Sequence, residues 1–316
     1  MGDRHLGHVA QSSEALPDFV IVGAQKAATT LLQAWLQQHP QAWLPKDEDP
    51  FFRDPVYATR SLDSLAQQYA GRTERRLGMK CPDYLARPEV PGRLHRDLAE
   101  PDLLVCLRDP VERALSAYFW WMRWGLIPIR PAEEGLRRIL DGGYRDIDPT
   151  VVNVLEWGLY HRHLSRYLEH FPREKVLVLF DEDLRRAPGA VLRRAQRFLG
   201  IDDDISAGLP TGANPGVYSL RRLRFLQRRT KHMLRWDPAH SYPSLVVPAF
   251  PFPRLYTDAV AVADRLVLAR RHPNSAARPR LSAELTGALR DYYRADVSAL
   301  AGLLGRDLAG WTPAAV

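Results

Sequence analysis

Four short, largely apolar runs limit the folds open to this chain. They are Phe19–Gly23, Leu77–Lys80, Leu103–Leu107 and Val176–Phe180. Runs of this length, rich in Val, Ile and Leu, are typical of strands that are buried on both faces of a parallel sheet. The segments between them have helical spacing. The sequence therefore predicts an α/β fold in which a parallel sheet carries helices on both faces.

The predicted helix that follows the third run has the clearest boundary. Asp109 is a suitable N-cap, Pro110 takes the first helical position, and Glu112 completes a capping box. The spacing of apolar residues predicts four further helices, over Leu31–Leu36, Val151–His170, Pro188–Leu199 and Ser282–Leu304. The stretches Gly125–Pro149 and Asp237–Arg254 are expected to be irregular.

Composition excludes several classes of protein. With 316 residues, of which 46% are hydrophobic and 26% charged, the chain is neither disordered nor fibrous. The two cysteines, Cys81 and Cys106, cannot build a disulfide framework, and no Cys/His cluster has zinc spacing. This cysteine usage suits a reducing compartment, and we expect a cytoplasmic protein.

The organisation and charge of the chain lead to two further expectations. No apolar run is long enough for a membrane helix. We expect a flexible leader over residues 1–17 and one domain over residues 18–312. The net charge of +7 favours an anionic partner, which leaves nucleic acid, a nucleotide-like cofactor and an acidic lipid surface open at this point.

The segment Gly23–Thr30 lies between the first predicted strand and its helix. Backbone N–H groups and the helix dipole attract anions at such a place. The lysine follows the first glycine by three positions, whereas a Walker A loop has it after six. The segment therefore predicts P-loop-type geometry without the ATPase sequence. An ordinary turn with a solvent-facing lysine is the alternative.

The run Val22–Leu31 resembles the 5′-phosphosulfate loop of sulfotransferases that use 3′-phosphoadenosine 5′-phosphosulfate (PAPS). That family commonly carries K-x-G-T-T, from which Ala28 departs. The resemblance implies that PAPS is the co-substrate and that its 5′-phosphosulfate is held by Lys26, Ala27, Ala28, Thr29 and Thr30.

The run Leu107–Tyr118 is a second match to the same family. In the family, an arginine at the strand end and a serine eight positions later hold the 3′-phosphate, and these roles pass to Arg108 and Ser116. A planar guanidinium suits bidentate binding of phosphate. In a rival interpretation Asp109 is a Walker B aspartate that holds magnesium, although its role as helix cap accounts for it.

The segment Pro45–Phe52 resembles the E-x-x-F-F segment of the glycan (heparan-type) branch and its bacterial relatives, where the glutamate is the catalytic base. The residue in register is Glu48, with Asp47 as a weaker candidate. An alcohol acceptor requires such a base. In the alternative interpretation, the three acids at positions 47–49 are a run of solvent-exposed side chains and none of them is the base.

The segment Met79–Tyr84 resembles the K-[TS]-P-x-Y segment of the same branch. It implies that Lys80 lies near the sulfuryl group and the acceptor; a surface lysine is the alternative. Lys26 is expected to donate to the bridging oxygen in the transition state.

Weaker matches extend the resemblance toward the C-terminal part of the chain. Phe180–Leu184 and Phe198–Ile201 resemble structural segments of the family. Asn214–Tyr218 resembles a loop that closes over the 3′-phosphate, which adds Tyr218 and Arg221 to the predicted cofactor site. The basic stretch Arg221–Arg235 is either a polyanion-binding helix or a solvated face.

These matches imply a PAPS-dependent sulfotransferase that acts on a hydroxyl group of a carbohydrate or a small metabolite. We expect no metal requirement and no nucleic acid as the main partner. Two alternatives stay open: a P-loop kinase that uses ATP and magnesium, and a non-catalytic nucleotide- or polyanion-binding protein on the same scaffold. The oligomeric state and the identity of the acceptor do not follow from the sequence.

Overall fold

A parallel sheet of five strands forms the centre of the molecule. The computed structural model describes residues 15–203, 216–236, 243–245, 251–268 and 278–312. The strands are β1 (Phe19–Gly23), β2 (Ala42–Trp43), β3 (Arg76–Lys80), β4 (Asp102–Leu107) and β5 (Val176–Phe180), in the spatial order β2-β3-β1-β4-β5. All neighbouring pairs are parallel. The four predicted strands are confirmed to within one residue; β2, with two residues, was not predicted.

Helices surround this sheet. They are α1 (Thr29–Leu36), α2 (Val56–Thr59), α3 (Leu62–Ala66), α4 (Val90–Asp97), α5 (Pro110–Arg123), α6 (Ala132–Leu140), α7 (Asn153–Glu156), α8 (Tyr160–Leu168), α9 (Asp181–Arg186), α10 (Pro188–Leu199), α11 (Leu220–Met233), α12 (Pro251–Ala263) and α13 (Ala283–Leu304). A π-helical segment follows α12 at Asp264–Leu268. Short 3₁₀ turns lie at Gln67–Tyr69, Tyr84–Ala86, Pro149–Val152, Arg173–Lys175 and Ala309–Trp311. The strands β6 (Leu234–Trp236) and β7 (Pro243–Leu245) form a separate antiparallel pair.

The core lies on both faces of the sheet. Every residue of β1, β4 and β5 is buried, which is what a strand covered on both faces requires. The predicted α/β fold is therefore confirmed. The predicted cap of α5 is confirmed as well, because Asp109 Oδ1 accepts hydrogen bonds from the N–H groups of Val111 (2.9 Å) and Glu112 (3.0 Å).

Two segments differ from the predicted irregular structure. The helix α6 lies within Gly125–Pro149, and its residues Leu136 and Ile139 are buried in the core. It was missed because its nine residues carry too few apolar positions to stand out between glycines and prolines. The helix α12 begins at Pro251, within Asp237–Arg254; residues 237–242 and 246–250 lie outside the described residues.

The predicted helix Val151–His170 is broken in the structure. A 3₁₀ turn and α7 end at Glu156, and α8 begins at Tyr160. Gly158 lies against Tyr293, so that a Cβ atom at Gly158 would approach the Tyr293 ring to 2.9 Å. The Tyr293 hydroxyl also donates a hydrogen bond to the Leu155 carbonyl at 2.8 Å. A tertiary contact with α13 therefore accompanies the break, and helical spacing alone cannot reveal it.

Some expectations about organisation stay predictions. Most of the predicted leader at 1–17 lies outside the described residues, and both the domain boundary at 18–312 and the cytoplasmic location remain predictions. Within the described ranges, none of the helices combines the length and the apolar character needed to span a membrane.

Candidate active site

The carboxyl ends of three adjacent strands bring the predicted site residues to one edge of the sheet. β1 lies between β3 and β4, with Ile21 opposite Lys80 and Gly23 opposite Val105. Just after β1, the Ala24 N–H donates to the Cys106 carbonyl at 2.7 Å. The loop after β1, the end of β3 and the end of β4 therefore lie side by side.

The loop after β1 has an unusual backbone. Lys26 (φ 71°) and Ala28 (φ 66°) both lie in the left-handed region, which is uncommon for residues other than glycine. Ala28 is also the N-cap of α1 and offers no side-chain cap. The N–H groups of Thr29 and Thr30 precede the helical hydrogen-bond ladder and are donors for an anion. The left-handed φ explains why a glycine would suit position 28.

Gly23 is required where the strand enters this loop. A Cβ atom at Gly23 would lie 2.7 Å from the Leu85 Cβ and 2.8 Å from the Pro82 carbonyl oxygen. Real Cβ atoms do not approach other atoms so closely, so any other residue would push the loop away from the β3 edge. Gly23 therefore sets the close approach between the loop and the segment that follows Lys80.

Lys80, Glu48 and Thr30 form one contact group. The Lys80 side chain is only 3% exposed, and its Nζ lies 3.2 Å from Glu48 Oε1. The same Nζ donates a hydrogen bond to Thr30 Oγ1 at 3.3 Å. The Glu48 carboxylate is 53% exposed and is thus open to an incoming molecule. The structure brings the predicted base and the second predicted lysine together at the start of α1.

The three acids at positions 47–49 have different surroundings. Asp47 and Glu48 are exposed, whereas Asp49 is buried. Asp49 accepts hydrogen bonds from the Arg60 guanidinium (2.8 Å) and the Gln68 amide (2.9 Å). The run is therefore not uniformly solvated, because its last member is a structural acid.

Hydrogen bonds of the Tyr84 hydroxyl hold the turn after Glu48. The Tyr84 hydroxyl donates to the Asp49 carbonyl at 2.7 Å and accepts from the Phe52 N–H at 2.9 Å. Phe51 and Phe52 are buried and pack edge to face, with ring centroids 4.9 Å apart. The two phenylalanines of the segment therefore hold the backbone next to Glu48 in the core.

Lys26 lies among several charges. Burial, together with the positive charges of Arg123, Arg108 and Arg113, lowers the pKa of Lys26 from 10.5 to about 8, against the opposing effect of Glu48. An anion that binds at Lys26 would relieve this repulsion between cations. The loop lysine therefore lies in surroundings that are dominated by positive charge.

Arg123 was not predicted from the sequence. It occupies the last turn of α5, seven residues after Ser116 and on the same face of the helix. That spacing was the signal that could have revealed it, but a single arginine in a helix is usually a surface residue.

Arg108 connects the loop to α5. Its Nη1 lies 3.5 Å from the Lys26 carbonyl oxygen, its Nη2 donates to Glu112 Oε2 at 3.0 Å, and its Nε lies 3.3 Å from Asp181 Oδ2. Ser116 follows two turns along α5 and is buried. The two predicted anchors, Lys26 and Arg108, are thus neighbours at one edge of the sheet.

The remaining predicted residues have different positions. The Tyr218 ring packs edge to face on Phe119, one turn beyond Ser116, with centroids 5.0 Å apart. Arg221 is exposed on α11, and its role stays a prediction. Its neighbour Arg222 is used in a buried bidentate ion pair with Asp264 (2.5 and 2.7 Å). Of the predicted loop over the 3′-phosphate, residues 214 and 215 lie outside the described residues.

Arg278 is a second residue that sequence reasoning missed. Its guanidinium contacts Glu112, next to Arg108. Arg278 lines a cavity of about 470 Å³ together with Glu112, Arg280 and Leu281. No local motif marks Arg278, because its contact partners lie far away in the sequence.

Comparison with known proteins identifies the family of this chain. Residues 16–208 match the model of the sulfotransferase domain. The chain belongs to this family. The predicted resemblance to the sulfotransferase family is therefore confirmed.

The relatives by sequence are glycan sulfotransferases. Mouse heparan sulfate glucosamine 3-O-sulfotransferase 3A1 is 32% identical over 193 residues, which is 60% of this chain and 47% of the relative. Human heparan sulfate glucosamine 3-O-sulfotransferase 3A1 is 30% identical over 197 residues, 60% of this chain and 46% of the relative. The chain thus spans about half the length of the curated relatives it matches.

The fold also has a bacterial counterpart. A sulfotransferase from Alicyclobacillus acidocaldarius superimposes with a TM-score of 0.61 and 24% identity, over 94% of this chain and 99% of that one. This likeness concerns the fold, and it confirms the P-loop-type α/β architecture expected for the family.

Proposed function

We propose that this protein transfers a sulfuryl group from PAPS to a hydroxyl group of a carbohydrate acceptor. The observation that carries the proposal is the contact group Glu48–Lys80–Thr30 beside the loop that contains Lys26. The family supports sulfuryl transfer, and the names of the sequence relatives support a glycan as acceptor. Small metabolites with a hydroxyl group are the other acceptor class.

The residues at this edge of the sheet fit the donor. PAPS carries a phosphosulfate at the 5′ position and a phosphate at the 3′ position. Lys26 and the first N–H groups of α1 suit the former, and Arg108 with the Ser116 hydroxyl suits the latter. The Arg108 Nη1 lies 3.5 Å from the Lys26 carbonyl oxygen, which is compatible with one adenosine bisphosphate that spans both residues.

The donor, when bound, supplies the sulfuryl group and an anionic leaving group. Glu48 then accepts the proton of the acceptor hydroxyl, because its carboxylate is exposed on one side and held by the Lys80 ammonium on the other. Lys26 stabilises the negative charge that develops on the leaving oxygen. Lys80, buried at the end of β3, fixes the orientation of Glu48 and adds positive charge where the transfer takes place.

The alternatives make different predictions. A P-loop kinase would need ATP and magnesium, and would hold them with a lysine at the Walker position, which this loop does not have. A non-catalytic nucleotide- or polyanion-binding protein would be indifferent to the loss of the Glu48 carboxylate. The requirement for no metal stays a prediction.

The test compares Glu48→Gln with Asp47→Asn, which removes a neighbouring exposed carboxylate. Transfer of labelled sulfate from PAPS to heparan sulfate is measured together with the affinity for adenosine 3′,5′-bisphosphate. We expect Glu48→Gln to lower turnover by about 10²- to 10⁴-fold, with the affinity for the bisphosphate retained. Asp47→Asn should match the wild type. Unchanged turnover in Glu48→Gln would contradict the assignment of the base.

A further inference from the structure

The helix α12 and the π-helical segment after it present apolar side chains to solvent. Within the described residues, five of the eight exposed large apolar side chains lie here: Leu255, Tyr256, Val262, Leu266 and Val267. Leu255 and Val262 are two helical turns apart, and Leu266 follows Val262 by four residues, so these three share one side. They are between 52% and 65% exposed. Such a concentration of apolar side chains on one side indicates a binding surface.

A different side of α12 packs against α11. Val260 and Asp264 are buried, and the Asp264 carboxylate forms a bidentate ion pair with Arg222 at 2.5 and 2.7 Å. Arg222 lies in the first turn of α11, whereas Asp264 directly follows α12. Because the two helices also contact each other directly, they lie side by side and run antiparallel. The buried ion pair fixes which side of α12 faces inward, and the apolar side is left facing outward.

The outward side of α11 carries positive charge. Leu223 and Leu226 are buried in the core, whereas Arg224 and Arg228, one helical turn apart, are exposed. The sequence of α11 contains no acidic residue that could neutralise them within the helix. Since α11 and α12 are neighbours, the exposed arginines of the first helix adjoin the apolar side of the second. We refer to these two outward sides together as the α11–α12 surface.

A partner for the α11–α12 surface must accept both cations and apolar side chains. A second copy of this chain would bring its own arginines, but α11 has no acid to pair with them and α12 has only one, Asp258. A soluble polyanion would neutralise Arg224 and Arg228 and leave the apolar side chains in water. The boundary of an anionic lipid bilayer offers phosphate groups and acyl chains side by side. The charges and the apolar side chains together therefore favour a bilayer.

We propose that the α11–α12 surface docks on the anionic face of a lipid bilayer. Leu255, Val262 and Leu266 enter the boundary between headgroups and acyl chains, and Arg224 and Arg228 bind the phosphate groups of the lipids. The inference is independent of the proposed function, because none of these five residues belongs to the candidate active site. It gives the basic stretch of α11 a partner that the transfer reaction does not supply.

Co-sedimentation with vesicles tests the proposal. The 316-residue chain is mixed with vesicles of phosphatidylcholine alone, or of phosphatidylcholine and phosphatidylglycerol in equal parts. We expect the wild type to bind the mixed vesicles at least about tenfold more tightly than the neutral ones, because each arginine near an anionic surface contributes separately. High salt should remove most of this preference, since it screens the charges.

Two double variants separate the two parts of the surface. Arg224→Gln combined with Arg228→Gln should weaken binding to the mixed vesicles by about 10- to 30-fold and leave binding to neutral vesicles unchanged. Leu255→Asn combined with Leu266→Asn should weaken binding to both kinds of vesicle by about tenfold or more, because the insertion of apolar side chains does not depend on lipid charge.

Each double variant has a control with the same chemistry elsewhere on the molecule. Arg194→Gln combined with Arg197→Gln removes two exposed arginines from α10, and so changes the net charge by the same amount. Leu62→Asn combined with Ile147→Asn removes two exposed apolar side chains. Neither control should alter vesicle binding. Thermal melting of every variant shows whether it is folded.

Several results would overturn the proposal. The first is a wild type that binds mixed vesicles no better than neutral ones, and the second is an equal loss of binding in the α10 control. Weaker binding in the arginine variant alone, with the leucine variant unaffected, would indicate that α11 binds polyanions without insertion. Self-association of the wild type without lipid, abolished by the leucine variant in analytical ultracentrifugation, would assign the apolar side to a second copy instead.

Discussion

The two ends of the candidate site are charged in different ways. The loop end consists of Lys26, Thr30, Glu48 and Lys80, and cations outnumber acids there. The helix end consists of Arg108, Glu112, Ser116 and Arg278, and each of its arginines contacts a carboxylate. The pKa of Lys26 is lowered to about 8, whereas arginine keeps its proton at any ordinary pH. The charge of the loop end therefore changes near neutral pH, and that of the helix end does not.

The first prediction tests this difference by pH. A bound phosphosulfate or phosphate stabilises the Lys26 ammonium, so binding favours the protonated form and weakens as the pH rises through the pKa of about 8. With Lys26 protonated in the complex, the affinity for adenosine 3′,5′-bisphosphate should fall about 30-fold between about pH 7 and about pH 9.5. Both ligand phosphates are largely ionised over this range, because their second pKa is about 6.

The control for this prediction is Lys26→Arg, which stays protonated. Its affinity profile should be flat over the same pH range, whatever its absolute affinity. A wild-type profile that is also flat would mean that Lys26 does not contact the nucleotide, and it would remove the contrast between the two ends. Calorimetry at several pH values provides the measurement.

A second prediction concerns the support of the loop end. Tyr84→Phe removes the hydroxyl that binds the Asp49 carbonyl and the Phe52 N–H, and leaves both groups buried without this partner. We expect a loss of about 1–2 kcal/mol in the free energy of unfolding. Turnover should fall more than bisphosphate affinity, because the turn carries Glu48 and the helix end is untouched. Urea denaturation measures the stability, and steady-state kinetics and calorimetry measure turnover and bisphosphate affinity. Equal losses in turnover and affinity would contradict the claim that Tyr84 supports the loop end alone.

The smallest expected effect is at Ala28, which departs from the family pattern. Its left-handed φ of 66° costs an alanine about 1–2 kcal/mol, whereas glycine loses about 0.5–1 kcal/mol through the greater freedom of the unfolded chain. Ala28→Gly should therefore stabilise the protein by up to about 1 kcal/mol. Thermal melting of Ala28→Gly measures this gain in stability. The control is Ala27→Gly, because Ala27 lies outside the left-handed region. A destabilised Ala28→Gly would contradict the strain assigned to the loop.

The same comparison shows what the sequence could predict. The start of α5 was accessible to local rules, since Asp109 and Pro110 mark it by capping chemistry alone, whereas the roles of Arg108 and Ser116 came from the resemblance to the family. The loop end depended on the resemblance to the family, because no propensity distinguishes Glu48 from Asp47 or Asp49. Only the structure shows that Asp49 is a buried hydrogen-bond acceptor and that Glu48 contacts Lys80.

The features that were missed depend on contacts between distant segments. The break between α7 and α8 accompanies the packing of Gly158 on Tyr293 of α13. Arg278 lies at the site because its segment contacts α5 at Glu112. Arg123 lies there because it shares the face of α5 that carries Ser116. Four of the five strands of the main sheet were predicted because they are continuous apolar runs; β2, with two residues, offers no such pattern.

The central claim is that an adenosine nucleotide with phosphates at both positions spans the loop end and the helix end. The most direct test is calorimetry of the wild-type protein with adenosine 3′,5′-bisphosphate and, separately, with ATP and magnesium. The account predicts that the bisphosphate binds at least about 100-fold more tightly, because only it places a phosphate between Arg108 and Ser116. Equal or tighter binding of ATP with magnesium would contradict it.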